Sequence, residues 1–164
     1  MIASLLPRFN SYRMVREYKD KFYGPASRQW HRFSENEYAV ATRLSEWKAR
    51  VRQAWAGVTI RRLDEPVRRI TFSEKVEMKV AVNLAGLETT DVRIELLIGR
   101  ASKQGQERDL KTLEFQATGS SGNERIFTLE MAPEYCGRLI YHIRVYPYNA
   151  DLTHPFEMGL MLWL

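Results

Sequence analysis

Three histidines, one cysteine and a run of aromatic residues interleaved with arginines are the groups from which this chain of 164 residues could do chemistry. His31, His142 and His154 are far apart and fall in different kinds of segment. His154 has Asp151 three residues before it in NADLTHPFEMG, but a zinc site needs three or four ligands and the sequence indicates no third. His142 lies opposite Tyr141 and Ile143 in an alternating run and reads as the solvent side of a strand. Cys136 stands beside Gly137 in a turn-like stretch with no neighbouring base, so it reads as a bystander. A single cysteine also excludes an internal disulfide and a Cys-based zinc site. Gly119-Ser120-Ser121-Gly122-Asn123 is followed by Glu124, without the Lys-Ser/Thr pair and helix start of a phosphate loop, and reads as a hairpin turn. Neither G-x-S-x-G nor H-E-x-x-H occurs, and no pair of acids stands out as an acid and its base. No residue is assigned as catalytic, cofactor-binding or metal-ligating. An enzyme acting alone is not expected.

Binding is the remaining chemistry, and FNSYRMVREYKDKFYGPASRQW (9–30) is where it would lie. Arg13, Arg16, Lys19, Arg28 and Arg32 could meet phosphates, with Tyr12 or Trp30 stacking on bases. Against this, the aromatics of the first helix fall at packing positions, so no nucleic-acid partner is expected. The net charge is +5, and residues 1–62 hold 13 Lys/Arg against 5 Asp/Glu, while residues 63–164 hold 12 against 15. A basic segment on a mildly acidic body reads either as a solvated face or as an interaction surface. No apolar run approaches the roughly 20 residues of a membrane span. MIASLLPRFN lacks the basic start and long apolar stretch of a secretory signal. No membrane partner and a cytoplasmic location are the expectation.

Two kinds of element must position these groups. From Ser11, read as an N-cap, Met14, Val15, Tyr18 and Phe22 form one helical stripe that Gly24-Pro25 should stop, leaving 25–33 as a linker. Ser34-Glu35-Asn36-Glu37 matches a capping box, and Val40, Leu44, Trp47, Val51 and Trp55 follow on one face, with Gly57 as a left-handed cap. Beyond Gly57 the period falls to two. Runs at 76–82, 92–98, 113–117, 127–131, 139–145 and 156–162 alternate apolar with polar residues, and 58–62 and 67–72 are candidate edge strands. Arg93, Glu95 and Lys79 fit a face open to water. The expected fold is α+β: a helical segment over 1–57 with two main helices, then an antiparallel, immunoglobulin-like β-sandwich over 58–164.

Phe9, Asn10, Ser11, Arg13, Met14, Val15, Glu17 and Tyr18, with Phe22, Tyr23, Pro25 and Ala26 after them, resemble a helix motif near the C-terminal end of the shorter bacterial and archaeal α-glucan (glycogen or maltodextrin) phosphorylases. The end of the chain is similar to the terminal segment of the same family through Tyr141, Arg144, Val145, Pro147, Asp151, Leu152, Pro155, Phe156, Glu157, Gly159 and Leu160. The resemblance implies a parent enzyme that cleaves α-1,4-glucan with phosphate to give glucose 1-phosphate, using pyridoxal phosphate. It also implies that the cofactor's lysine lies upstream, so no lysine here is given that role and this chain itself holds no cofactor.

Two readings follow. In the first, the chain is a non-catalytic C-terminal region whose helical tail docks on the catalytic lobes, with Arg13, Arg16 and Glu17 as ion-pair contacts and α-glucan as a further candidate partner. In the second, it is a free-standing β-sandwich that binds carbohydrate or protein, with Tyr146, Tyr148 and Trp163 as candidate stacking rings.

Overall fold

A computed structural model describes residues 10–65, 74–101, 107–132 and 137–164. These fall into two compact units that divide between Trp47 and Lys48.

The first unit is helical. Helix α1 (Ser11–Tyr18) runs through a π turn (Lys19–Tyr23) into α2 (Gly24–Ser34), and α3 (Ala39–Ala54) begins after a short turn. Asn10, rather than Ser11, caps α1, its Oδ1 accepting from Arg13 N at 2.7 Å. Gly24-Pro25 does not stop the helix, and 25–33 is helical rather than a linker. Inside a regular helix, proline clashes with the carbonyl four residues back and leaves it without a donor. Here the preceding turn is widened, the Gly24 N–H donating to Lys19 O, and Pro25 sits in the first turn of α2. A Cβ on Gly24 would lie 3.0 Å from Lys19 O, so the glycine suits the wide turn. The capping box at Ser34 does not form either. Ser34 ends α2 with its hydroxyl on His31 O at 3.1 Å, and Asn36, Glu37 and Tyr38 turn the chain at φ of 49°, 54° and 63°.

Among its described residues the second unit is built mainly of strands, with the end of α3 before them and a 3-10 turn at Thr89–Asp91 ahead of the third strand. Its strands are β1 (Thr59–Arg62), β2 (Val76–Asn83), β3 (Val92–Ala101), β4 (Glu107–Glu114), β5 (Gln116–Ser121), β6 (Glu124–Met131), β7 (Leu139–Pro147) and β8 (Leu162–Trp163). They form two antiparallel sheets, ordered β1-β2-β6-β5 and β4-β3-β7-β8. The expected alternation builds the core of this β-sandwich: Val76, Met78, Val80, Val82, Ile94, Leu96, Phe127, Leu129, Ile143 and Val145 are all buried. Edge strand β1 occupies the expected 58–62 segment, and Gly122-Asn123 makes the expected hairpin turn between β5 and β6. The other candidate edge, 67–72, and Cys136 lie outside the described residues.

Three further expectations change. The run 113–117 is two strands in different sheets, joined at buried Phe115, whose N–H bonds to Ile94 O. Most of 156–162 is turn or irregular, held by Glu157 N to His154 O and Gly159 N to Phe156 O, and pairing with β7 begins only at Leu162. Gly57 is not left-handed. It closes a 3-10 turn (Trp55–Gly57), where an added Cβ would come within 2.9 Å of the Ala85 side chain.

The last two turns of α3 belong to this second unit. Val51 and Trp55 are buried, Lys48 pairs with Glu157, and Arg50 Nη2 lies 3.1 Å from Asp91 Oδ2. Asp91 is itself buried and also accepts from Glu88 N at 3.0 Å, so its carboxylate is held by backbone as well as by the arginine.

Candidate docking surface

Helices α1 and α2 contain no buried residue. Along these helices and the π turn between them, Met14, Val15, Tyr18, Phe22, Tyr23 and Trp30 are each between 47% and 68% exposed, and Tyr12 is 76% exposed. Tyr18 gathers two of them, its ring centroid 5.8 Å from that of Phe22 and 6.4 Å from that of Tyr23. Helices in globular proteins are held mainly by packing an apolar face, and a contiguous exposed apolar patch marks a surface meant to be covered. This face has the composition of a core and the exposure of a surface.

The charged residues expected to reach across an interface pair along the helix. Arg13 Nη1 lies 2.6 Å from Glu17 Oε1, Lys21 Nζ 3.9 Å from Glu17 Oε2, and Arg16 Nε 3.8 Å from Asp20 Oδ2. Exposed i,i+4 pairs of this kind contribute about 0.3–0.5 kcal/mol each. The apolar stripe, not these ions, is what distinguishes the helices.

Part of the basic surplus in residues 1–62 is also matched inside the second unit. Besides Lys48 and Arg50, Arg61 Nη2 reaches Glu124 Oε2 at 2.6 Å and Arg62 Nη2 reaches Asp64 Oδ2 at 2.6 Å. The bond from Lys48 holds the Glu157 carboxyl below its ordinary range, and Arg61 does the same for Glu124. At Asp64, burial opposes ionisation, but the Arg62 guanidinium and the Lys79 N–H (2.8 Å to Oδ1) outweigh it and lower the carboxyl. Arg62 also donates to the Tyr141 hydroxyl, tying β1 to β7.

The candidate stacking rings do not form a row. Tyr146 is buried, its hydroxyl donating to Glu95 Oε1 at 2.6 Å, and burial together with that carboxylate pushes the phenol above its ordinary range. Tyr148 lies under Arg93, with the guanidinium carbon 3.7 Å from the ring centroid. Trp163 alone is 54% exposed, edge-on to His142 at 6.2 Å. Glu95 is buried too, with Arg144 donating from Nε (2.9 Å) and Nη2 (2.6 Å) to Oε2 and Phe156 stacked 4.7 Å from the guanidinium carbon. This part of the β3 face is therefore covered, not open to water.

The histidines stay separate. His31 meets Trp30 edge to face, His142 is exposed on β7, and His154 Nδ1 accepts from Phe156 N at 3.1 Å within its turn. Among the described residues no group of three His, Cys, Asp or Glu could hold a metal, and no helix is long and apolar enough to cross a membrane.

Residues 55–164 match the glycogen phosphorylase C-terminal domain. The chain belongs to that family. Over 166 aligned residues it is 31% identical to the maltodextrin phosphorylase of Thermococcus litoralis, covering 99% of this chain and 19% of that protein. Over 163 residues it is 28% identical to the glycogen phosphorylases of Mycobacterium bovis and Mycobacterium tuberculosis, covering 98% of this chain and 19% of each. The chain thus spans about one fifth of the length of these relatives, and the similarity takes in the helices as well as the family domain.

Proposed function

We propose that this chain is the non-catalytic C-terminal region of an α-glucan phosphorylase, in which the helical segment docks on the catalytic part of the enzyme. The observation that carries the proposal is the unburied aromatic stripe of α1 and α2, in a chain that aligns along nearly all its length with one fifth of a phosphorylase. In this reading residues 1–57 are the tail of the catalytic lobe and 58–164 an accessory sandwich, a division supported by the start of the family match at residue 55. In the same reading the sandwich is immunoglobulin-like, which its sheet orders support. Its strand orders, 1-2-6-5 and 4-3-7-8, correspond to the ABED and C′CFG sheets of that topology.

The parent reaction is phosphorolysis of α-1,4-glucan to glucose 1-phosphate in the cytoplasm. Pyridoxal phosphate belongs to the catalytic part outside this chain. Among the described lysines, Lys21, Lys48 and Lys79 are engaged with carboxylates, and Lys21 and Lys79 lie at the surface, so these three do not fit it.

A chimera tests the proposal, with this chain replacing the matched segment of the Thermococcus litoralis enzyme. The chain alone, given maltodextrin and inorganic phosphate, is expected to release no glucose 1-phosphate, whereas the chimera does. Release by the isolated chain, or an inactive chimera that folds with its helices open to protease, would overturn it.

A further inference from the structure

The π turn does more than admit Pro25. It sets the rotational phase of everything after it. At about 100° per residue, Tyr23 in a regular helix would lie about 140° around the axis from Tyr18, and Trp30 about 120°. A π turn closes five residues on where an α turn closes four, which acts as one inserted residue. Counted so, Tyr23 falls about 40° from Tyr18 and Trp30 about 20°. The 6.4 Å between the Tyr18 and Tyr23 rings agrees with the corrected phase.

We infer that the π turn at Lys19–Tyr23 is a register device, which joins Met14, Tyr18, Phe22, Tyr23 and Trp30 into one docking stripe for an apolar groove on the catalytic part of the phosphorylase, with Trp30 as an anchor. The inference rests on the proposed docking and adds to it the residues and the turn that make the contact. The occupant is the rest of the enzyme because about four fifths of the relatives' length lies outside the segment this chain matches. It is apolar because the helix's own acids and several of its cations are already engaged with one another. Tryptophan and tyrosine are also the side chains that most often dominate such contacts.

Limited trypsin digestion of the chimera reads this directly, since Arg13, Arg16, Lys19, Lys21 and Arg28 lie within the stripe's helices. Cleavage there should be slow in the chimera and fast in the isolated chain. Trp30→Ala should speed it about tenfold or more, as loss of an anchor does. Deleting Asp20 together with Pro25→Ala restores a regular helix and should speed it likewise, with helix content by circular dichroism unchanged. Tyr12→Ala, which removes a still more exposed ring off the stripe, should change nothing. If the chimera is protected but the Trp30 and register variants are equally protected, the register inference fails and docking stands. If the chimera's helices are cut as fast as the isolated chain's, docking itself fails and the inference with it. An isolated chain that dimerises by sedimentation, with the dimer lost on Trp30→Ala, would instead give the stripe to a second copy and overturn the inference.

Discussion

Asp64 is a carboxylate that acts as a fastener between strands. It accepts from Arg62 through Nε (2.9 Å) and Nη2 and from the Lys79 N–H, and so closes the end of β1 onto β2. Its folded-state ionisation is shifted down, so its stabilisation is full above the unfolded value of about 3.9 and is lost as the pH falls through the lower folded value. Asp64→Asn should therefore cost about 2 kcal/mol at pH 7, with the penalty shrinking below about pH 4, as read by urea unfolding at pH 7 and pH 3. An equal penalty at both values would mean that charge plays no part. Glu95 teaches a similar lesson. Polar alternation along β3 marks which residues point away from the sandwich core, but not that Tyr146 and Phe156 will cover them. That cover comes from a segment some fifty residues away, and short-range pattern has no access to it.

Elements were legible where one face is buried against another sheet. The runs at 76–82, 92–98, 127–131 and 139–145 are strands because their alternation matches the pleat. Alternation misled at 156–162, where turn hydrogen bonds replace a ladder, and at 113–117, where one buried phenylalanine crosses between sheets. Among the helices, Gly24-Pro25 looked like a stop because proline normally forbids continuation, and the π turn that permits it has no local composition of its own. Its trace is the phase slip between Tyr18 and Trp30. The end of α3 carries a further expectation. Val51 is fully buried in the sandwich unit, so Val51→Ala should lower the stability of that unit by about 2 kcal/mol in denaturant unfolding followed by far-ultraviolet circular dichroism. A loss confined to helical signal, with the strands unaffected, would show that the two turns after Trp47 are not part of it.

As a whole molecule, the chain combines a sandwich that satisfies its own core with helices that do not. The phosphorylase family was legible in two motifs, one at each end of the chain, and the family match over 55–164 bears that reading out. What the sequence alone left open was which side of the first helix mattered. Arginines drew attention by number, yet Arg13 and Arg16 pair with acids of their own helix, while the aromatics remain exposed. Hydrogen–deuterium exchange over residues 11–34, compared between the isolated chain and the Thermococcus litoralis chimera, asks whether that face is covered. If these helices dock on the catalytic part, their amides exchange rapidly in the isolated chain and slow by orders of magnitude in the chimera. Equal exchange in the two, with the chimera otherwise folded and active, would mean the stripe is not the joint.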